Sequence, residues 1–158
     1  MHILDPRLGP KEETVVALGV FDGVHLGHQE LFHEAAAKRD ESGMAMLAMT
    51  FVPHPRTLTG SPNGYDRMLT PSREREELFR DLGSDYALSV PFTKELAAKS
   101  PHEFAERYLA GQCRAKHVVC GFNFTFGHRG LGTPADLTLF GRELGFAVSV
   151  VPPFAIDG

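Results

Sequence analysis

Five short apolar runs are separated by stretches with a helical pattern. The runs are Val15–Val20, Met44–Phe51, Tyr86–Val90, Lys116–Gly121 and Phe146–Val151. Most of them are nearly continuous in apolar residues rather than alternating, which is typical of strands in a sheet that is covered on both faces. Successive runs begin roughly 30 residues apart, about the length of a β-α-β unit. The pattern therefore predicts a five-stranded parallel sheet.

The stretches between these runs predict amphipathic helices. The expected helices are Gly27–Arg39, Ser72–Leu82, Pro101–Leu109 and Pro134–Leu144. Three of them follow a hydroxyl residue and a proline, a combination that favours a helix start: Thr70-Pro71, Ser100-Pro101 and Thr133-Pro134. Strands that alternate with helices predict an α/β fold with helices on both faces of the sheet. Ligands bind such folds at the carboxyl ends of the strands.

Composition narrows the classes of function. The chain has 158 residues, of which 42% are hydrophobic and 23% charged, as expected for one globular domain. Lys plus Arg is 16 and Asp plus Glu is 20, giving a net charge of 16 − 20 = −4. An acidic chain without a basic run is a poor candidate for binding nucleic acid. An anionic small ligand remains possible, because backbone dipoles can bind it.

Cysteine content and hydropathy bear on location. The two cysteines, Cys113 and Cys120, form neither a disulfide framework nor a zinc pattern. No window approaches the roughly 18 apolar residues that a membrane span requires. We therefore expect a cytoplasmic protein that does not bind membranes.

The segment Gly19–His28 carries the most specific chemistry. It joins the first predicted strand to the first predicted helix, and its glycines Gly23 and Gly27 allow a tight turn and close approach to a ligand. A helix start offers free N–H groups and a positive dipole end to an anion. His25 and His28 lie three residues apart there, so both imidazoles can face one phosphate chain. Such histidines can stabilise the charge that develops during phosphoryl transfer.

Two other interpretations of this segment are weaker. A metal site needs three or four ligands, and His33 and His54 would have to complete it without a nearby cysteine or carboxylate. We therefore predict no metal bound by protein ligands. The Gly-x-Gly-x-x-Gly fingerprint of dinucleotide-binding folds is absent.

His25-Leu26-Gly27-His28 resembles the HxGH signature of the nucleotidyltransferase superfamily. The longer string Gly19–His28 resembles one branch of it, the bacterial FAD synthetases, which are bifunctional riboflavin kinase/FMN adenylyltransferases. Further blocks are similar to that family in the same order: Thr50–Pro55, Leu69-Thr70 with Glu74, Phe92–Phe104, and Gly121–Gly127 followed by Gly130 and Gly132. The resemblance implies a Rossmann-like nucleotidyltransferase fold.

The resemblance also implies roles for individual residues. It assigns catalysis to His25, His28 and Asn123, and nucleotide binding to Gly19, Phe21, Asp22, Gly23 and Gly27. It assigns flavin binding to Phe51, Pro53, His54 and Pro55, and Arg56 can meet the FMN phosphate with a forked hydrogen bond. We expect Phe122, Phe124 and Phe126 to pack in the core, with a flavin contact open to one of them.

The chain departs from the family near its last residues. The family carries a Ser-Ser-Thr-x-Ile-Arg motif after the fifth strand, and this chain ends at Ile156-Asp157-Gly158 before that motif is due. We therefore expect residues 1–158 to be one FMN adenylyltransferase domain that is cut before the motif. The riboflavin kinase domain is absent here and is expected in cis in the intact protein.

The implied reaction joins AMP from ATP to FMN, giving FAD and pyrophosphate. Mg²⁺ is expected to bind mainly through the ATP phosphates. Two alternatives stay open: a nucleotidyltransferase with another phosphorylated acceptor, and a non-catalytic fragment that binds flavin or nucleotide.

Overall fold

The computed structural model describes residues 1–21, 26–52 and 72–153. Its strands are β1 His2–Ile3, β2 Thr14–Leu18, β3 Ala45–Val52, β4 Tyr86–Pro91, β5 Ala115–Gly121 and β6 Ala147–Val151. Its helices are α1 Leu26–Ser42, α2 Ser72–Asp81, α3 Lys94–Ala97, α4 Pro101–Phe104 and α5 Pro134–Leu144. Helix α4 continues as a π-helical segment, Ala105–Gln112, and a short 3-10 turn spans His128–Gly130.

The described strands form one parallel sheet in the order β1-β4-β3-β2-β5-β6. The five predicted apolar runs match β2 to β6 to within two residues at each end. The prediction of five strands was wrong by one, because β1 adds a sixth at the edge, where His2 pairs with Tyr86 and Ile3 with Ala87. Two residues are too few to produce a hydrophobic pattern in the sequence.

Both faces of the sheet are covered, as predicted. On one face, called here the α1 face, residues such as Val15, Ala17 and Met46 pack against Phe32 of α1 and Phe79 of α2. The other face, called here the α5 face, carries the residues that alternate with these along the strands, such as Val16, Leu18 and Leu47. They pack against Phe104 of α4, Leu109 of the π-helical segment and Leu137 of α5. This double coverage explains why the strands read as continuous apolar runs.

The sheet has one point at which the direction of winding reverses. From β2 the chain moves to β3 and β4 on one side, and it then returns to place β5 and β6 on the other side of β2. The crevice above the carboxyl ends of β2 and β5 is therefore the place where a fold of this type binds its ligand.

Helix ends follow the predicted signals. Thr133 accepts a hydrogen bond from Asp136 N at 3.2 Å and its own N–H donates to the Asp136 carboxylate at 3.0 Å, which makes a complete capping box at α5. Ser100 accepts from Glu103 N at 3.1 Å at the start of α4. Thr70-Pro71 lies outside the described residues.

In the described part of the chain, no helix combines the length and the apolar character needed to cross a membrane.

Candidate active site

The residues that follow β2, Gly19 to Phe21, lie against the carboxyl end of β3. Gly19 N donates to Met49 O of β3 at 3.2 Å, and Phe21 N approaches Thr50 Oγ1 at 3.5 Å. A Cβ at Gly19 would lie 2.9 Å from the Cε1 and Cζ atoms of Phe21, closer than side chains pack. Glycine at this position therefore allows the Phe21 ring to pack against the backbone of Gly19.

The ring of Phe21 supports His28. Phe21 is only 2% exposed and packs between Phe32 of α1 and Phe79 of α2. It meets the imidazole of His28 edge to face, with ring centroids 5.0 Å apart and planes at 83°. A ring buried in this way cannot stack on a nucleotide, and what Phe21 does in the structure is to support the imidazole of His28.

His28 lies in the first turn of α1, and its side chain is partly exposed. The first turn of a helix leaves backbone N–H groups free, and the helix dipole adds positive potential. Gly27 belongs to the same turn. An imidazole N–H beside these groups suits a phosphate chain at the crevice above β2 and β5.

Asn123 lies on the same face of the sheet as α1. In β5, His117 interacts with Lys38 and Glu34 of α1, and Val119 packs in the core of the α1 face. Gly121 continues this alternation, and the Oδ1 atom of Asn123 lies 3.4 Å from the point where a Gly121 Cβ would stand. The absence of a side chain at Gly121 thus lets the Asn123 amide lie on the side of the sheet from which α1 starts.

The three phenylalanines after β5 separate into two environments. Phe124 and Phe126 are 9% and 5% exposed and belong to the core of the α5 face, as predicted. Phe122 is 51% exposed, so the expectation of core packing was wrong for this residue. The reason is local: Phe124 N donates to Gly121 O at 3.1 Å, which makes Phe122 and Asn123 the central residues of a turn and breaks the alternation of the strand.

The carboxyl end of β3 is well packed. Phe51 is 5% exposed and its ring packs against Phe92 and Phe104 at centroid distances of 6.0 and 5.9 Å. Little of the surface of Phe51 is therefore available to a ligand. Thr50, which is 1% exposed, holds the backbone near Phe21. Thr50 and Gly121 were not among the predicted site residues, because their roles depend on contacts between strands that the sequence pattern does not specify.

Several predicted site residues lie outside the described residues. They are His25, Asp22 and Gly23 before α1, and Pro53, His54, Pro55 and Arg56 after β3. Their assignments stay predictions.

The described residues offer neither a reactive thiol nor a metal centre. Burial raises the pKa of the Cys120 thiol to about 11 and that of Cys113 to about 12, so both stay protonated near neutral pH. Among the described residues, no three His, Cys, Asp or Glu side chains come close enough to hold a metal ion. The arrangement around His28 and Asn123 can donate hydrogen bonds to an anion but has no nucleophile in its described part.

A protein-family model matches nearly the whole chain. The model for FAD synthetase matches residues 9–158, almost the whole chain. The chain belongs to the FAD synthetase family. Its HxGH segment and its Gly-x-Asn-Phe-x-Phe-Gly segment both fall within the matched range.

Curated relatives carry names consistent with this family. The chain is 38% identical over 144 residues to the bifunctional riboflavin kinase/FMN adenylyltransferase of Bacillus subtilis, covering 87% of this chain and 45% of that protein. It is 31% identical over 140 residues to an FAD synthetase of Listeria monocytogenes, covering 87% of this chain and 56% of that protein. The chain thus spans about half the length of the curated relatives it matches.

Solved structures share the fold. A crystal structure described as a macrolide-efflux protein from Streptococcus pneumoniae matches with a TM-score of 0.84 at 28% identity, covering 98% of this chain and 50% of that one. That description belongs to the S. pneumoniae protein. A pantothenate synthetase from Thermus thermophilus matches with a TM-score of 0.56 at 17% identity, covering 97% of this chain and 61% of that one. The second likeness concerns the fold alone.

Proposed function

We propose that this chain transfers the adenylyl group of ATP to the phosphate of FMN, giving FAD and pyrophosphate. The observation that carries the proposal is the position of His28 and Asn123. Both lie at the carboxyl edge on the α1 face, where the winding of the sheet reverses, in a chain whose match to the FAD synthetase family covers residues 9–158.

The reaction is an in-line displacement at the α-phosphorus of ATP. A phosphate oxygen of FMN attacks, a new P–O bond forms, and the bond to the β-phosphate oxygen breaks so that pyrophosphate leaves. His28 donates a hydrogen bond to phosphate oxygens whose charge increases, and the free N–H groups of the first turn of α1 add to that stabilisation. Asn123 holds a second position on the nucleotide phosphates or ribose. His25 is proposed to share the work of His28.

Mg²⁺ is a proposed companion of ATP rather than a ligand of this chain. Mg²⁺ prefers six oxygen donors, and the described side chains at the site offer an imidazole and an amide. The residues described here do not form a site for it, so we propose that it arrives on the ATP phosphates.

The flavin is proposed to lie beyond β3. Phe51 ends the buried part of that strand, and Pro53, His54, Pro55 and Arg56 follow directly in the sequence. Prolines fix the backbone angles of such a segment and suit it to hold a flat ring.

The domain organisation is a proposal as well. The relative from Bacillus subtilis is named bifunctional, and the chain covers 45% of its length. We propose that residues 1–158 are the FMN adenylyltransferase domain of such a protein, with the riboflavin kinase domain in cis. Two buried, unpaired cysteines, Cys113 and Cys120, suit a cytoplasmic setting.

The direct test is FAD formation. The chain is mixed with FMN and Mg-ATP, the flavins are separated by chromatography, and pyrophosphate release is measured in the same sample. Equal amounts of FAD and pyrophosphate support the proposal. Nicotinamide mononucleotide and phosphopantetheine serve as competing acceptors, and product formation from either in place of FMN would contradict the flavin assignment. Flavin binding without pyrophosphate would reduce the chain to a binding domain.

A further inference from the structure

Helix α2 buries an arginine. Arg75 is only 1% exposed, and its guanidinium stays charged at any physiological pH. Among the described side chains of α2, only Arg75 and Phe79 are buried, whereas the other two arginines of the helix, Arg73 and Arg80, are exposed. Arginine is almost never fully buried unless other groups compensate its charge. Arg75 thus occupies a place in the buried stripe of α2 that packing alone would give to an apolar residue.

Helices α1 and α2 lie side by side and run in the same direction. Arg39, in the last turn of α1, donates from Nη1 to the carbonyl of Gly83, just after the end of α2, at 2.6 Å. Nearer the start of both helices, Phe32 of α1 stacks on Phe79 of α2, with ring centroids 5.5 Å apart and planes at 27°. Because α1 starts at the carboxyl edge of the sheet, α2 starts there as well.

This arrangement brings Arg75 to the level of His28. Arg75 comes four residues before Phe79, which is about one helical turn, or about 6 Å. His28 comes four residues before Phe32, and residues four apart lie on the same face of a helix. The ring of Phe21 contacts both members of the stacked pair, at 5.2 and 5.3 Å, and the imidazole of His28 at 5.0 Å. Arg75 and His28 are therefore the next residues toward the carboxyl edge above one aromatic cluster.

A buried guanidinium restricts the position of its helix more than an apolar side chain does. Its charge and its N–H groups must be compensated wherever they lie, so displacement from the compensated position is costly. Apolar side chains tolerate several packings and lose the unique arrangement before they lose stability. Departures from the apolar pattern of a buried stripe are expected near functional sites. The charge of Arg75 is therefore suited to fix the start of α2 beside the start of α1.

We infer that Arg75 is a positioning residue of the adenylyl-transfer site: it fixes the start of α2 and, through Phe79 and Phe21, the imidazole of His28. This inference rests on the proposed function. Its burial leaves Arg75 no surface with which to contact a substrate. Its effect on the reaction must therefore pass through His28.

A double-mutant cycle between Arg75→Gln and His28→Ala tests this dependence. Glutamine keeps N–H donors at the position but removes the charge. We expect Arg75→Gln alone to lower the kcat of FAD formation about ten-fold and to leave the KM values within about two-fold, because a small misplacement of a catalytic group slows the reaction itself. In the His28→Ala background the same change should lower kcat by less than about two-fold, since the group that it positions is gone.

Three control variants separate positioning from stability. Arg75→Lys keeps the charge and should keep kcat within about three-fold of the wild type. Arg80→Gln removes an exposed arginine from the same helix and should have the wild-type kcat. Ser84→Ala removes buried hydrogen bonds to the carbonyls of Met46 and Tyr86, at 3.3 and 2.7 Å, near the opposite end of α2. It should lower the free energy of unfolding and leave kcat unchanged.

The outcomes distinguish this inference from the proposed function. Urea unfolding shows whether Arg75→Gln is folded, and if it is not, the cycle is run with Arg75→Lys. If the wild type forms FAD and the Arg75 variant loses the same factor in kcat with and without His28, or loses none, the inference is wrong and the proposed function stands. A raised KM for Mg-ATP with an unchanged kcat would assign Arg75 to substrate binding and also overturn it. If the wild type forms no FAD, the proposed function fails, and the role of Arg75 fails with it.

Discussion

The phenyl ring of Phe21 meets the imidazole of His28 edge to face, at a centroid distance of 5.0 Å and an angle of 83° between the planes. Phe21 is itself held by Phe32 and Phe79, so a three-ring aromatic cluster on the α1 face fixes the histidine at the start of α1. The orientation of His28 therefore depends on residues that a substrate never touches.

Gly19→Ala should disturb this relationship while leaving the side chains of Phe21 and His28 themselves unchanged. The new methyl group would lie 2.9 Å from two atoms of the Phe21 ring, so the ring must move and His28 loses its support. We expect the kcat of FAD formation to fall about ten-fold to a hundred-fold, because small misplacements of a catalytic group have effects of that order. Steady-state kinetics with Mg-ATP and FMN measures it, and urea unfolding shows whether the fold is retained.

A double-mutant cycle isolates the contact. Phe21→Leu removes the ring atoms that the new methyl group would strike, so Gly19→Ala should cost much less activity in that background than in the wild type. An equal loss in both backgrounds would show that Gly19 acts by some route other than the Phe21 ring.

Gly121 tests the position of Asn123. A Cβ at Gly121 would lie 3.4 Å from Asn123 Oδ1, an ordinary contact, so Gly121→Ala should keep FAD formation within about three-fold of the wild type. Gly121→Val adds two more methyl groups on that side and should displace the amide. We expect it to approach the loss seen in Asn123→Ala, on the order of a hundred-fold. A fully active Gly121→Val variant would contradict the placement of Asn123 on the α1 face.

His117 predicts an acid sensitivity of the fold. Desolvation, with Lys38 next in importance, holds the pKa of His117 below its usual 6.5. The unfolded chain therefore binds a proton at a pH where the folded chain does not, and the free energy of unfolding falls as the pH drops below about 6.5. His117→Gln should reduce this fall, measured by urea unfolding at about pH 7.5 and about pH 5.

The control for His117 is its hydrogen-bond partner. His117 Nε2 lies 2.7 Å from Ser149 Oγ. Ser149→Ala removes that hydrogen bond but keeps the imidazole in its place, so its unfolding free energy should still fall with acid as the wild type does. If His117→Gln and the wild type lose the same free energy between the two pH values, burial of His117 is not a source of the acid sensitivity.

The sequence predicted the parts of this fold that depend on local pattern. The runs that became β2 to β6 are continuous in apolar residues because both faces are covered, and Thr133-Pro134 marked the start of α5 correctly. β1 was missed because it has only two residues, and they become a strand by pairing with β4. The prediction that Phe122 packs in the core was wrong because the strand ends at Gly121. The hydrogen bond from Phe124 N to Gly121 O closes a turn there, and the alternation of the strand stops.

The residues of the candidate site also differ in how far the sequence alone predicts them. A motif can name His28 and Asn123, since the types and spacing of residues are visible in a sequence. It cannot reveal that Phe21 is buried beneath His28, or that Gly121 leaves space for Asn123, because both facts arise when distant segments pack together. The supporting residues become visible only in the folded chain.

The measurement that tests the central claim most directly is the rate of FAD formation by His28→Ala, compared with His2→Ala. His2 is an exposed histidine of β1, a strand outside the proposed site, and its ring contacts Tyr86. With FMN and Mg-ATP saturating, we expect His28→Ala to lose at least about a hundred-fold in rate and His2→Ala to stay within about two-fold of the wild type. A His28→Ala variant that forms FAD at the wild-type rate would contradict the assignment of the start of α1 as the catalytic centre.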